Sequence, residues 1–133
     1  MLRITVDTNT LISATISKGN EYELLKLVKI GRVKLILSLQ ILKEFKEVMS
    51  RPKFGYPRSV INNVLKNIFS ISEIVFPKEK LNVIKDDPSD NMVLECALSG
   101  KVDYLISGDN HLLKIKEYKG IKIVRTLEIL NLI

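Results

Sequence analysis

Short apolar runs alternate with helix-like apolar patterns along the whole of this 133-residue chain, and that alternation leaves few folds open. Leu2 to Val6, Lys34 to Leu37, Glu73 to Phe76, Tyr104 to Ser107 and Ile121 to Val124 read as strands. Several are apolar almost throughout, as strands buried on both faces must be. A helical segment opens after the first of them, where Thr8 or Asn9 can cap it. A second follows Asn20, carries Leu24, Leu25, Leu27 and Val28, and stops near Gly31. Ser38 caps a third, with Ile41, Leu42, Phe45, Val48 and Met49 on one face and Pro52 beyond its end. A fourth spans Arg58 to about Phe69, with Val60, Ile61, Val64, Leu65 and Ile68 inward. Pro77 to Asp86 is a loop. Asp86-Asp87-Pro88-Ser89-Asp90 is a turn and helix start, and the helix runs to Ser99, closed by Gly100. Short helices are expected at His111 to Ile115 and Thr126 to Leu130. The expected fold is one α/β domain over residues 1–133, in three layers, with a mostly parallel sheet of about five strands and helices on both faces.

The composition excludes several classes. With 46% apolar residues spread along its length the chain folds. No stretch approaches the roughly 18 apolar residues of a membrane span, and the opening Met1-Leu2-Arg3 lacks the pattern of a signal peptide, so the expected location is the cytoplasm. The single cysteine, Cys96, forms no intrachain disulfide and falls in an apolar helical pattern with Val93, Leu94 and Ala97, which makes it a packing residue. A formal charge of +6 favours a polyanionic partner.

The acids are placed by connectivity. In an open parallel sheet, ligands bind beyond the carboxyl ends of the strands, and the helices that follow strands start at that same rim. Asp7 ends the first strand and Asp109 lies just past the fourth. Asp90 is in the first turn of one helix and Glu44 in the second turn of another, with Glu47 the neighbouring alternative. Four converging carboxylates repel: two unit charges about 4 Å apart cost on the order of 4 kcal/mol at an effective dielectric near 20. Such a cluster takes up protons or a cation, and oxygen ligands of this kind select Mg²⁺ or Mn²⁺. A bound ion activates water and stabilises the charge of a phosphodiester in displacement. Lysines and arginines around an acidic spot suit a nucleic-acid backbone. Lys18, Arg51, Lys53 and Arg58, with Phe54 and Tyr56, occupy segments where such a strand can pass, without individual assignment.

At these residues the chain resembles the PIN-domain family over nearly its whole length. Val6-Asp7-Thr8-Asn9 is similar to the family's opening motif, and Glu44 in Leu42-Lys43-Glu44-Phe45 to its second acid. Asp87-Pro88-Ser89-Asp90-Asn91 with Ala97 resembles the third-acid segment, and Ser107-Gly108-Asp109-Asn110-His111-Leu112-Leu113 the fourth. The Asp-Pro-x-Asp and Gly-Asp-x-x-Leu-Leu forms look like the toxin branch of toxin–antitoxin systems. The resemblance implies Mg²⁺- or Mn²⁺-dependent endoribonuclease activity, metal ligation by Asp7, Glu44, Asp90 and Asp109, an antitoxin partner and homodimers. RNA rather than DNA as substrate comes from the resemblance alone.

Thr8, Asn9, Asp87, Asn91 and Ser107 are candidates to orient the acids or their waters. Asp87 alternatively caps its helix, Asp86 is expected to be solvated, and Asp103 to be uninvolved. His111, the one histidine, is read as a rim residue. The alternative function is a binding domain on the same fold, without catalysis. A phosphoryl-transfer domain is disfavoured, because Asp7-Thr8-Asn9 lacks a second aspartate two positions on and no acid ends the third strand.

Overall fold

The computed structural model describes residues 1–85 and 87–133; Asp86, and with it the expectation that it is solvated, lies outside the described residues. Among them are six strands, β1 (Arg3–Val6), β2 (Lys34–Ser38), β3 (Ser72–Val75), β4 (Tyr104–Ile106), β5 (Glu117–Tyr118) and β6 (Ile121–Val124). The seven α-helices are α1 (Thr8–Ile16), α2 (Asn20–Lys29), α3 (Leu39–Met49), α4 (Arg58–Ser70), α5 (Pro88–Ser99), α6 (Asn110–Leu113) and α7 (Thr126–Leu132). They cover both faces of one sheet of order β3-β2-β1-β4-β6-β5. The five expected strands form the parallel part. The sixth, β5, is antiparallel to β6 and only two residues long. It is joined to β6 by Lys119 and Gly120, both at positive φ (49° and 86°). Two such residues are what a tight hairpin turn requires.

The sheet's centre explains the apolar runs. Ile4, Leu35, Ile36, Leu37, Leu105 and Ile106 are at most 1% exposed. From β1 the chain winds outward through β2 and β3, then returns to the other side of β1 with β4 and β6. The winding therefore reverses between β1 and β4, and the crevice beyond their carboxyl ends is where such a sheet takes ligands.

Local chemistry sets the helix ends. The N-cap of α1 is Asp7, whose Oδ1 accepts the Thr10 N–H at 2.9 Å, so Thr8 and Asn9 are inside the helix instead of capping it. Ser38 caps α3 as expected, accepting the Ile41 N–H at 3.2 Å. After α2, Gly31 at φ 80° and Arg32 donate to the carbonyls of Val28 and Leu27, the left-handed closure that favours glycine. Gly100 closes α5 as expected, and it has a second role. The left-handed residue after α5 is Lys101 (φ 50°), whereas a Cβ on Gly100 would fall 2.5 Å from Cγ2 of Ile36. Glycine is needed there so that α5 can lie against β2. Gly100→Ala is therefore expected to destabilise the fold by about 1–3 kcal/mol, the range for overpacking, read as a lower midpoint in urea with unchanged slope.

In α4, Ile61 and Ile68 are buried and Val64 and Leu65 half-buried as expected, but Val60, in the first turn, is 40% exposed. Cys96 is fully buried, between Thr5 and the Ile36 carbonyl, and burial pushes its thiol up to about 11. It is an inert packing residue. No helix is long and apolar enough to cross a membrane among the described residues.

Candidate functional site

All four sequence-picked acids border one cavity of about 310 Å³ at the carboxyl rim. Its walls are Asp7, Thr8, Asn9, Glu44, Val48, Arg51, Asp87, Ser89, Asp90, Val93 and Asp109. Asp7 arrives from β1, Glu44 from α3, Asp87 and Asp90 from the start of α5, and Asp109 from the turn after β4.

Asp7 is 6% exposed, and each of its carboxylate oxygens is held by one protein donor. One carboxylate oxygen caps α1 and the other accepts the Ser107 hydroxyl. Ser107 in turn accepts the Asp109 N–H at 2.9 Å, so a single hydroxyl fixes the spacing between the ends of β1 and β4. Asp109 caps α6, accepting the His111 N–H at 2.7 Å.

Glu47 is exposed and does not line the cavity; Glu44, one turn earlier on α3, does. Its two oxygens accept the hydroxyls of Thr8 and Ser89. One carboxylate thereby ties α1, α3 and α5 together above the sheet. Fully buried Phe45, the next residue, anchors this turn of α3 in the core.

Asp87 caps α5, its Oδ1 accepting the Asp90 N–H at 3.1 Å. The Asn91 side chain turns away from the acids. It accepts from the Val83 and Ile84 N–H groups, both at 2.9 Å, and donates to the carbonyls of Ile84 and Asp87, at 2.7 and 2.8 Å. All its hydrogen-bonding capacity goes into holding the loop that precedes Asp87. Asn9 is exposed and borders both this cavity and a neighbouring cleft of about 370 Å³ that holds Arg125.

Asp90 carries the electrostatic stress. It is 7% exposed, and its Oδ2 has no hydrogen-bond partner. Burial, then the charges of Asp109, Asp87 and Asp7, push its carboxyl up to about 7 from an ordinary 3.8. Between those values the native state holds a proton that the unfolded chain has released, so stability falls as pH rises through the window. With EDTA present, the wild type is expected to lose melting temperature from pH 4 to pH 8. Asp90→Asn is expected to lose less, and to melt higher than wild type at pH 8 by on the order of 5 °C. Thermal melts of both proteins check this. A wild type as stable at pH 8 as at pH 4 would remove the strain assigned to Asp90.

Two wall residues had no signal beyond their type. Arg51 follows α3 and stands exposed at the cavity's lip. Ser89 lies inside the Asp-Pro-Ser-Asp segment, and only the fold shows that it reaches Glu44. A separate arrangement was not expected: one ligand atom each from Asp87, Asp90 and His111 lies within 4.8 Å of the others.

Residues 3–111 match the family model of the PIN domain. The chain belongs to the PIN-domain family. The matched span holds all four acids, and members of the family are generally nucleases. Among solved structures, this PIN domain is similar to a chain of DNA-bound VapBC from Salmonella typhimurium, with a TM-score of 0.64 at 18% identity over 95% of this chain and 99% of that one. It is also similar to PAE2754 from Pyrobaculum aerophilum, with a TM-score of 0.63 at 17% identity over 98% of this chain and 89% of that one. At these identities the likeness is one of fold. No curated protein matches the sequence.

Proposed function

We propose that this PIN domain is a metal-dependent endoribonuclease that hydrolyses RNA phosphodiester bonds at the carboxylate cavity, and that it is the toxin of a toxin–antitoxin pair. The observation that carries the reading is the unpartnered, buried Oδ2 of Asp90 among the charges of Asp109, Asp87 and Asp7. A divalent cation satisfies that oxygen and offsets the repulsion in one step. Asp7, Asp90 and Asp109 would hold Mg²⁺ or Mn²⁺, with Glu44 across the cavity. All are oxygen donors, which suits these ions.

The ion supplies Lewis acidity and a more acidic bound water. The chain supplies position. Ser107 and the α1 cap hold Asp7, and the Thr8 and Ser89 hydroxyls hold Glu44 with lone pairs left over for water in the cavity. Arg51 at the lip offers a planar donor set to a backbone phosphate, and the +6 chain as a whole attracts RNA.

The choice of RNA is supported by the family. The toxin assignment is supported by the Asp-Pro-x-Asp and Gly-Asp-x-x-Leu-Leu forms and by the likeness to a chain of VapBC. The antitoxin would be the cognate protein partner. A homodimer is also part of the proposal; the apolar side chains exposed for it are Ile30 after α2, at 68%, and Val60 and Phe69 on opposite sides of α4, at 40% and 53%. Action in the cytoplasm is part of the proposal; among the described residues no helix is long and apolar enough to cross a membrane.

The test is a titration of the EDTA-treated protein with MnCl₂. Binding heat and a higher melting temperature are expected, about 2.7 kcal/mol of stabilisation at one hundred times Kd, and both effects should collapse in Asp90→Asn. A wild type that neither releases heat nor gains stability would favour the non-catalytic binding domain.

A further inference from the structure

Within that metal-site reading, on which the inference rests, we infer that Asp87, Asp90 and His111 form a second divalent-cation position, and that its imidazole biases the chain toward Mn²⁺ over Mg²⁺. Two observations carry this. First, one ligand atom of each residue lies within 4.8 Å of the other two, a spacing that a single ion can bridge. Second, the Asp90 side chain is more than nine-tenths buried, and its Oδ2 has no partner. That oxygen belongs to the carboxylate the two positions would share, and Asp90 lines the cavity.

The three residues are held for the purpose by different means. Asp87 is fixed by its cap on α5 and by the Asn91 amide on its carbonyl. His111 enters from the other side, at the start of α6, where its backbone N–H is fixed on Asp109. Its ring is 63% exposed, with Nδ1 3.9 Å from Asp109 Oδ1, too far for a hydrogen bond, so no strong contact commits it elsewhere. Asp90 is then common to both positions, one with Asp7 and Asp109 and one with Asp87 and His111.

The donor set determines the preference. Mg²⁺ takes oxygen ligands and keeps its waters, whereas imidazole nitrogen suits first-row transition ions. Two carboxylates and an imidazole nitrogen therefore make a poorer site for Mg²⁺ than the all-oxygen position beside it.

His111 is the chain's only histidine, which makes the test direct. The untagged full chain, stripped with EDTA, is loaded with MnCl₂ and its pulsed electron paramagnetic resonance spectrum is read for coupling to a directly bound ¹⁴N. Titrations with MnCl₂ and MgCl₂ are run in parallel. The wild type is expected to show the nitrogen coupling and two Mn²⁺ per chain. His111→Gln should lose the coupling and weaken one Mn²⁺ at least about 10-fold, the scale on which even outer partners of a metal act, with less than about 2-fold change for Mg²⁺. Asp7→Asn should keep the coupling while weakening the other ion. A wild-type Mn²⁺ complex without bound nitrogen overturns the second position; if Asp7→Asn still weakens Mn²⁺ binding, the first position stands. A wild type that binds no Mn²⁺ overturns both.

Discussion

Asp7→Asn is expected to lower the rate of RNA cleavage by at least about 100-fold while leaving the fold intact, the scale seen when one electrostatic group is taken from a preorganised site. The retained fold follows from Asp7's second duty. As the N-cap of α1 it accepts the Thr10 N–H, and asparagine caps as well as aspartate does. The amide's carbonyl can keep that bond, and its N–H₂ can face the Ser107 oxygen. What it cannot keep is the negative charge beside Asp90 and Asp109. The variant should therefore melt within a few degrees of the wild type, bind RNA through Arg51 and the basic surface, and fail to cut. Single-turnover cleavage of a labelled RNA, with a melting curve on the same sample, separates these outcomes. Unchanged cleavage would mean that Asp7 serves only as a helix cap.

Phe45→Ala is expected to have the largest effect on stability. The ring is fully buried, and truncating such a side chain costs about 3–5 kcal/mol, through lost burial and an unfilled cavity. A domain of this size has about 5–15 kcal/mol in total, so much of its stability is at stake. The neighbouring Glu44 should be affected as well. Its link to Thr8 and Ser89 depends on α3 keeping its height above the sheet. Denaturant unfolding should show a large drop in midpoint, and Mn²⁺ affinity should fall even where the protein remains folded. By contrast, Glu47→Ala, on the exposed side of the same helix, should change stability by less than about 0.5 kcal/mol.

These residues also show which parts of the structure were readable in advance. The apolar strands and the acids at their carboxyl ends were legible because both obey short-range rules: a buried parallel strand is apolar throughout, and the rim follows from connectivity. That is why Asp7 and Asp109 fall where expected, and why α5 begins at Asp-Pro-Ser-Asp. Choosing Glu44 over Glu47 needed only the helical face, which Phe45 and Val48 define. The β5–β6 hairpin escaped because a two-residue strand has no periodicity, and its turn uses Lys119 where asparagine or glycine would have signalled it. Gly100 was legible as the residue that closes α5, but the nearness of Ile36, which requires glycine there, is a tertiary fact. The same holds for Ser89 on Glu44, Asn91 on its loop, and His111 beside Asp87 and Asp90. Each joins residues whose meeting depends on how whole elements pack, and no local pattern records that.

Within the site, stability and function oppose one another. Asp90 is buried with an unpartnered oxygen and a carboxyl that resists ionising, an arrangement that costs stability at neutral pH. Asp7, Glu44 and Asp109 differ in that protein donors already hold them. The metal reading gives that one strained carboxylate its purpose, while the others form the frame that fixes where a cation and a phosphate meet.

The most direct measurement is cleavage of a defined single-stranded RNA by the purified chain, with Mg²⁺ or Mn²⁺, with EDTA, and with EDTA followed by excess Mn²⁺. The expected result is internal cleavage in either ion, none in EDTA, and recovery on adding Mn²⁺. The products should carry no 2′,3′-cyclic phosphate, because the proposed nucleophile is a water and not the neighbouring 2′-hydroxyl. Cleavage that persists in EDTA, or an RNA left whole in both ions by a protein shown to be folded, would contradict the account.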